Sequence, residues 1–224
     1  MNEHKNLIGD RVVTIPAVPL YGHKDPDYSK NVGVYGLSGY QLERASNRYK
    51  DLGVKLSDGI PKGYTVLIIW SFGGGGSIRY IEAIGRVALR IISDNYLAFL
   101  KGRGSGANIT VDYDMTHSQA KEILLSGRSD MPLRHPIPAD RLTHYLKAIE
   151  QTDAFTNEDD YIVVFDVLMR YEIEDPLLLF PPEAKKGKSE ARFKSGFFRP
   201  VRLFTKEEIL PMILKETAQG GNDQ

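Results

Sequence analysis

Apolar and polar residues change their period several times along the chain, and those changes outline its elements. Residues 66–70, Val-Leu-Ile-Ile-Trp, form an unbroken apolar run, the pattern of a strand buried on both faces. Four consecutive glycines, Gly73, Gly74, Gly75 and Gly76, follow soon after. Beyond Ser77, residues Ile78, Ile81, Ile84, Ala88, Ile91 and Ile92 recur at helical spacing. Strand, glycine loop, helix is therefore the predicted order, with Gly85 costing that helix about 1 kcal/mol relative to alanine. The end of the helix is open. Residues 87–93 and 96–101 also fit a hairpin turning at Asp94-Asn95, because short apolar runs satisfy both periods. A helix to residue 92 and a strand from Tyr96 is the expectation carried forward.

Elsewhere the pattern is plainer. Residues 11–16 and 32–37 read as strands, separated over 17–31 by a loop whose prolines and glycine deny a regular ladder. Ser38 caps a predicted helix over 40–51, with Leu42, Ala45, Tyr49 and Leu52 on one face and Gly53 as its stop. Residues 57–63 form a turn cluster, and 102–106 a mobile glycine loop. Residues 108–113 predict a strand, after which Thr116 or Ser118 starts a helix that Gly127 stops. An extended proline-rich connector at 131–138 leads to an amphipathic helix over 140–151, with Leu142, Tyr145, Leu146 and Ile149 together.

Residues 161–173 read as a long strand, 175–180 as a further short one, and 197–204 as the last, which Pro200 suits to a sheet edge. Thr205 with Glu208 makes a capping box for a final helix that Pro211 kinks or shortens. Strands and helices mix without strict alternation. That predicts an α+β fold, with irregular α/β as the alternative: a mixed central sheet with several helices packed on it and long Pro/Gly loops. No internal repeat or clean linker divides the 224 residues. One domain is expected, with a flexible basic segment at 182–196 and a disordered tail at 219–224.

Charge and composition narrow the function classes. Lys and Arg number 29 and Asp and Glu 29, so no global field draws the molecule to nucleic acid or anionic lipid. The chain has no cysteine, which removes disulfides, thiolate metal sites and cysteine nucleophiles. No apolar run reaches the length of a membrane-spanning helix, and the polar first residues do not form a signal peptide. A soluble, cytoplasmic protein is the expectation.

Four stretches carry residues suited to chemistry. Gly74, Gly75, Gly76, Ser77 and Arg79, if a helix follows, would offer free N–H groups, a hydroxyl and a charge to a phosphate. The spacing is neither a phosphate-loop NTPase motif nor a dinucleotide fingerprint: no Lys-Ser/Thr follows, and Arg79 replaces the third small residue. Over its eight residues, WSFGGGGS is similar to the glycine-rich phosphate loop of tubulin-like GTPases. The other nucleotide loops of that family are not visible and the chain is short for its fold, so the likeness assigns no family.

Asp112 and Asp114 would share one face of a strand, with His117 in the following turn. They could hold a divalent cation or work as acid and base, with His135 and His144 as remote additions; capping of the next helix is the plain alternative. Asp166 lies inside the apolar run of residues 161–169, beside Ile162, Val164 and Leu168 by alternation. A carboxylate there is hydrogen-bonded, at an edge, or raised in pKa for a purpose. Asp175 with Glu183 and Lys185 resembles the carboxylate and Glu-x-Lys arrangement of metal-dependent nucleases, but Pro181-Pro182 precedes them where that arrangement needs a strand. Finally, Lys185, Lys186, Lys188, Arg192, Lys194, Arg199 and Arg202 interleave with Phe193, Phe197 and Phe198, a composition that attracts phosphates and stacks on unpaired bases.

No Ser-His-Asp or Ser-x-x-Lys set can be assembled, and each candidate motif is incomplete. The ranking is therefore a non-catalytic binding or assembly subunit, working through protein partners or self-association. Second comes an enzyme acting on a nucleotide or phosphorylated substrate, and third a nucleic-acid-binding module. No cofactor is named by the residues.

Overall fold

The computed structural model of the chain describes residues 8–17, 31–39, 42, 60, 62–71, 79–103, 111–128, 133–157, 159–170 and 202–207. Its strands are β1 (Arg11–Ala17), β2 (Val32–Leu37), β3 (Thr65–Ser71), β4 (Arg79–Ile92), β5 (Met115–Thr116), β6 (Tyr161–Arg170) and β7 (Arg202–Thr205). Its helices are α1 (Asp94–Gly102), α2 (His117–Ser126) and α3 (Ala139–Glu150). The strands form one sheet in the order β2-β6-β4-β3-β1-β7, with β5 beside β4. Pairing is antiparallel except for β1 with β3 and β4 with β5, which are parallel. The mixed sheet with packed helices is the α+β architecture that the pattern predicted, and β7 stands at its edge as expected. Among the described residues no helix is long and apolar enough to cross a membrane.

The largest departure from the sequence reading is β4. Residues expected as a helix form a 14-residue strand, antiparallel to β3 with Ser71 opposite Arg79. The glycines thus connect the two arms of a hairpin; they themselves lie outside the described residues. The helical spacing of the isoleucines has a physical origin in the ladder. Register shifts at Ile68/Ile69 and at Val87/Leu89 each leave one β4 residue, Glu82 and Ala88, without an opposite number. An extra residue in a strand inverts the alternation beyond it. Ala83 and Val87 accordingly face one core, whereas Leu89 and Ile91 face the other and Ile92 returns to the first.

The segment after β4 is also exchanged. Residues 96–101, expected as a strand, belong to α1, where Ser93 Oγ accepts from the Tyr96 N–H at 3.1 Å. That cap, Asp94 in the first turn and Lys101 in the last give a short helix its ends. Val111 to Tyr113, expected to finish a strand, have no regular structure, and pairing starts instead at Met115.

The later helices agree with the sequence. Thr116 and Gln119 make a reciprocal capping box at the start of α2, and Gly127 closes it in the left-handed conformation at φ 66°. Helix α3 buries Leu142, Tyr145, Leu146 and Ile149. Both pack on one face of the sheet against Val32, Val34, Ile162 and Val164, while α1 packs Tyr96 and Leu100 on the other, against Tyr35, Tyr161 and Phe165. Phe165 lies over Gly33 of β2 and Gly85 of β4, where any Cβ would collide with its ring. Those two glycines let one aromatic side chain cover three strands.

Several expectations lie outside the described residues: the 17–31 loop beyond its ends, most of the 40–51 helix, the strand at 175–180, the basic segment from Lys185 to Arg199, and the final helix beyond its helical residues 206–207 together with the tail.

Candidate functional site

The carboxylates of Asp112 and Asp114 do converge, and what they converge on is Arg90. The Ala88 bulge turns Arg90 toward the face carrying Ile60 and Tyr161. Its side chain is only 3% exposed, and that of Asp114 is fully buried. Arg90 Nη2 lies 3.3 Å from Asp114 Oδ1 and Nε 3.4 Å from Oδ2. Arg90 Nη1 reaches Asp112 Oδ2 at 3.1 Å and the Ile60 carbonyl at 3.4 Å.

Asp114 also works on the backbone. Its Oδ2 accepts from the Arg90 N–H at 2.8 Å, and its own N–H donates to the Arg90 carbonyl at 2.9 Å. The carboxylate stands in for a strand acceptor one residue before β5 pairs with Ile91 and Ile92. One residue therefore neutralises the buried guanidinium and begins the parallel pairing.

Around this pair lie groups from separate segments. Lys62, just before β3, brings Nζ to 3.6 Å from Asp114 Oδ1. Arg134 and His135, from the connector before α3, bring Nη1 and Nε2 to 3.5 and 3.4 Å from Asp112 Oδ1. Buried Tyr161 donates its hydroxyl to the Asp112 carbonyl at 2.8 Å. Burial pushes the Tyr161 hydroxyl well above its ordinary pKa. For Asp112, burial works to raise the carboxyl, but the Arg90 charge, His135 and Arg134 outweigh it and hold it below the usual carboxylate range. The result is an ionised but weak base. Among the described residues no three His, Cys, Asp or Glu side chains are arranged to hold a metal ion.

The remaining candidates fall elsewhere. His117 is buried at the first position of α2, its ring edge-on to Phe155 at 5.4 Å, and does not join Asp112. His144 packs beside Tyr145 on α3. Of the two remote histidines only His135 reaches the carboxylates. Asp166 lies on the opposite face of the sheet from Arg90, where Tyr145 of α3 donates to both its oxygens at 2.9 Å and Arg141 Nη2 approaches at 2.9 Å. This is the hydrogen-bonded explanation of a carboxylate in an apolar strand. Arg79, beside the glycines, begins β4 eleven residues before Arg90, roughly 30 Å or more along an extended strand. No helix follows the glycines, so the helix-dipole argument for phosphate there does not hold. Gly74, Gly75, Gly76 and Ser77, like Lys185, Lys186, Lys188, Arg192 and Lys194, lie outside the described residues.

Sequence reasoning missed Arg90, Lys62 and Arg134. A signal for Arg90 existed. It is the lone charge in the run 87–92, Val-Ala-Leu-Arg-Ile-Ile, and a cation in a buried strand requires an acidic partner. No family model, curated protein or solved structure matches this chain.

Proposed function

We propose that the chain is a non-catalytic binding or assembly subunit of a larger protein complex, with other proteins or further copies of itself as partners. The observation that supports this is the engagement of its best-placed carboxylates. Asp112 and Asp114 are tied to Arg90, and Asp166 to Tyr145 and Arg141. A general base needs its lone pair aimed at a substrate proton, whereas these oxygens face internal donors. The separation of Arg79 from Arg90 along β4 also argues against one pocket joining the glycines to Asp112 and Asp114. A cytoplasmic location accords with the absence of cysteine.

The test is paired. The tagged full chain is purified from its native source and the mass of any stoichiometric complex is read by light scattering, for wild type and for Asp112→Asn. A defined complex is expected, with Asp112→Asn changing stability or assembly only. A well-folded Asp112→Asn protein that had lost a nucleotide-dependent turnover shown by wild type would overturn the reading.

A further inference from the structure

We propose that the outer rim of the Arg90 cluster binds a phosphate group through Lys62, Arg134 and His135. This stands independently of the assembly reading. Three cations, Arg90, Lys62 and Arg134, meet two carboxylates, and His135 adds a fourth positive charge when protonated. Neutralising Asp112 and Asp114 requires two cations, so among the described residues the cluster carries an excess of positive charge.

Burial sorts that excess outward. Arg90 and Asp114 are sealed below and Asp112 is 25% exposed, whereas the Lys62, Arg134 and His135 side chains are 32%, 51% and 42% exposed. The most exposed side chains of the cluster are therefore its cations. The Lys62 and Arg134 donors are also largely unused. At 3.6 Å the Lys62 ammonium is beyond hydrogen-bond length of Asp114. Arg134 touches Asp112 with one nitrogen while its guanidinium lies 5.1 Å from the Tyr113 ring centre. Its other N–H groups have no protein acceptor among the described residues.

The carboxylates act as holders. They hold Lys62 on the Asp114 side of Arg90 and Arg134 with His135 on the Asp112 side before any ligand arrives, which lowers the ordering cost of binding. Three separate donors suit the three terminal oxygens of a phosphate better than the two of a carboxylate, and a guanidinium can grip phosphate with two N–H bonds.

Isothermal titration with inorganic phosphate, and separately with glycerol 2-phosphate, tests this at constant ionic strength. Saturable binding is expected, weakened at least about tenfold in the Lys62→Gln/Arg134→Gln double variant, because two charge-assisted contacts are lost. Lys121→Gln, which removes an exposed cation on α2, should leave it unchanged. Tighter binding of glycerol 2-phosphate assigns the site to phosphate esters, and tighter binding of inorganic phosphate to the free anion. If the double variant does not fold, amide shifts of the wild type decide. Perturbation by phosphate centred on Lys62, Arg134 and His135 supports the site, and perturbation centred elsewhere overturns it. Undiminished binding by a folded double variant, or no saturable binding to wild type, also overturns it.

Discussion

Two arginine–carboxylate sites stand on opposite faces of the same sheet, and solvent separates their energetics. In the Arg90 cluster the guanidinium is 3% exposed and its partner Asp114 fully buried. In the Asp166 clamp, Arg141 is 55% exposed and Asp166 26%. The chemistry is nearly the same: each carboxylate accepts from an arginine, and a tyrosine hydroxyl takes part nearby. An exposed pair gains little, because water screens it and two side chains must be held still. A buried pair contributes little net stability when intact, yet removing one partner strands a charge in a poorly polarisable interior. The first site is therefore brittle and the second tolerant.

Cutting the buried site should give the largest effect. Asp114→Ala removes the counter-charge of Arg90 and the acceptor of the Arg90 N–H, and a loss of about 3–5 kcal/mol is expected in urea unfolding. The matching cut in the clamp, Asp166→Ala, should cost only about 1–2 kcal/mol. Equal losses at the two sites would show that water reaches Arg90 and would erase the contrast.

The two sites were unequally legible in the sequence, for a reason that lies in the strands carrying them. Asp166 sits in β6, whose upstream half alternates regularly: Tyr161, Val163 and Phe165 face one core and Ile162 and Val164 the other. A period of two therefore placed Asp166 on its face correctly. Arg90 sits in β4, where two extra residues break the alternation and imitate a helix. Pattern reasoning reads a strand through its period and cannot see a bulge, which only the partner strand reveals. The ends of α2 were legible because Thr116 and Gly127 act through neighbours three or four residues away. The convergence of Lys62, Arg90, Asp112 and Arg134 depends on a fold that brings distant segments together.

At the rim of the buried site the expected effect is smaller and depends on pH. Asp112→Asn keeps an acceptor but loses the charge facing Arg90, Arg134 and His135, and about 1–2 kcal/mol should be lost near neutrality. Its folded pKa lies below the ordinary value of 3.8. A carboxyl shifted in that direction stabilises the fold above its unfolded pKa and loses that contribution as pH falls through the folded one. The wild-type advantage over Asp112→Asn should thus be present above about pH 5 and shrink below about pH 4. An advantage undiminished at pH 3 would separate the stability of the rim from the Asp112 charge.

The smallest effects belong to the clamp, and they resolve its parts. Tyr145→Phe removes a hydroxyl that bonds both oxygens of Asp166 and should cost about 1 kcal/mol, whereas Arg141→Gln, at an exposed partner, should cost a few tenths to about 1 kcal/mol. Burial and the Asp166 bond raise the Tyr145 hydroxyl from 10.0 to about 12. The sign is now reversed relative to Asp112: a raised folded pKa gives stability that is complete below the unfolded value and lost as pH climbs through the folded one. The wild-type advantage over Tyr145→Phe should therefore hold up to about pH 9 and decline once pH passes about 10. Because Arg141 stays charged across that range, its own small contribution should not fall with the tyrosine's until Asp166 loses the Tyr145 bond. A decline starting at the same pH in Tyr145→Phe itself would assign the alkaline sensitivity to another group. The clamp would then be held by the arginine alone.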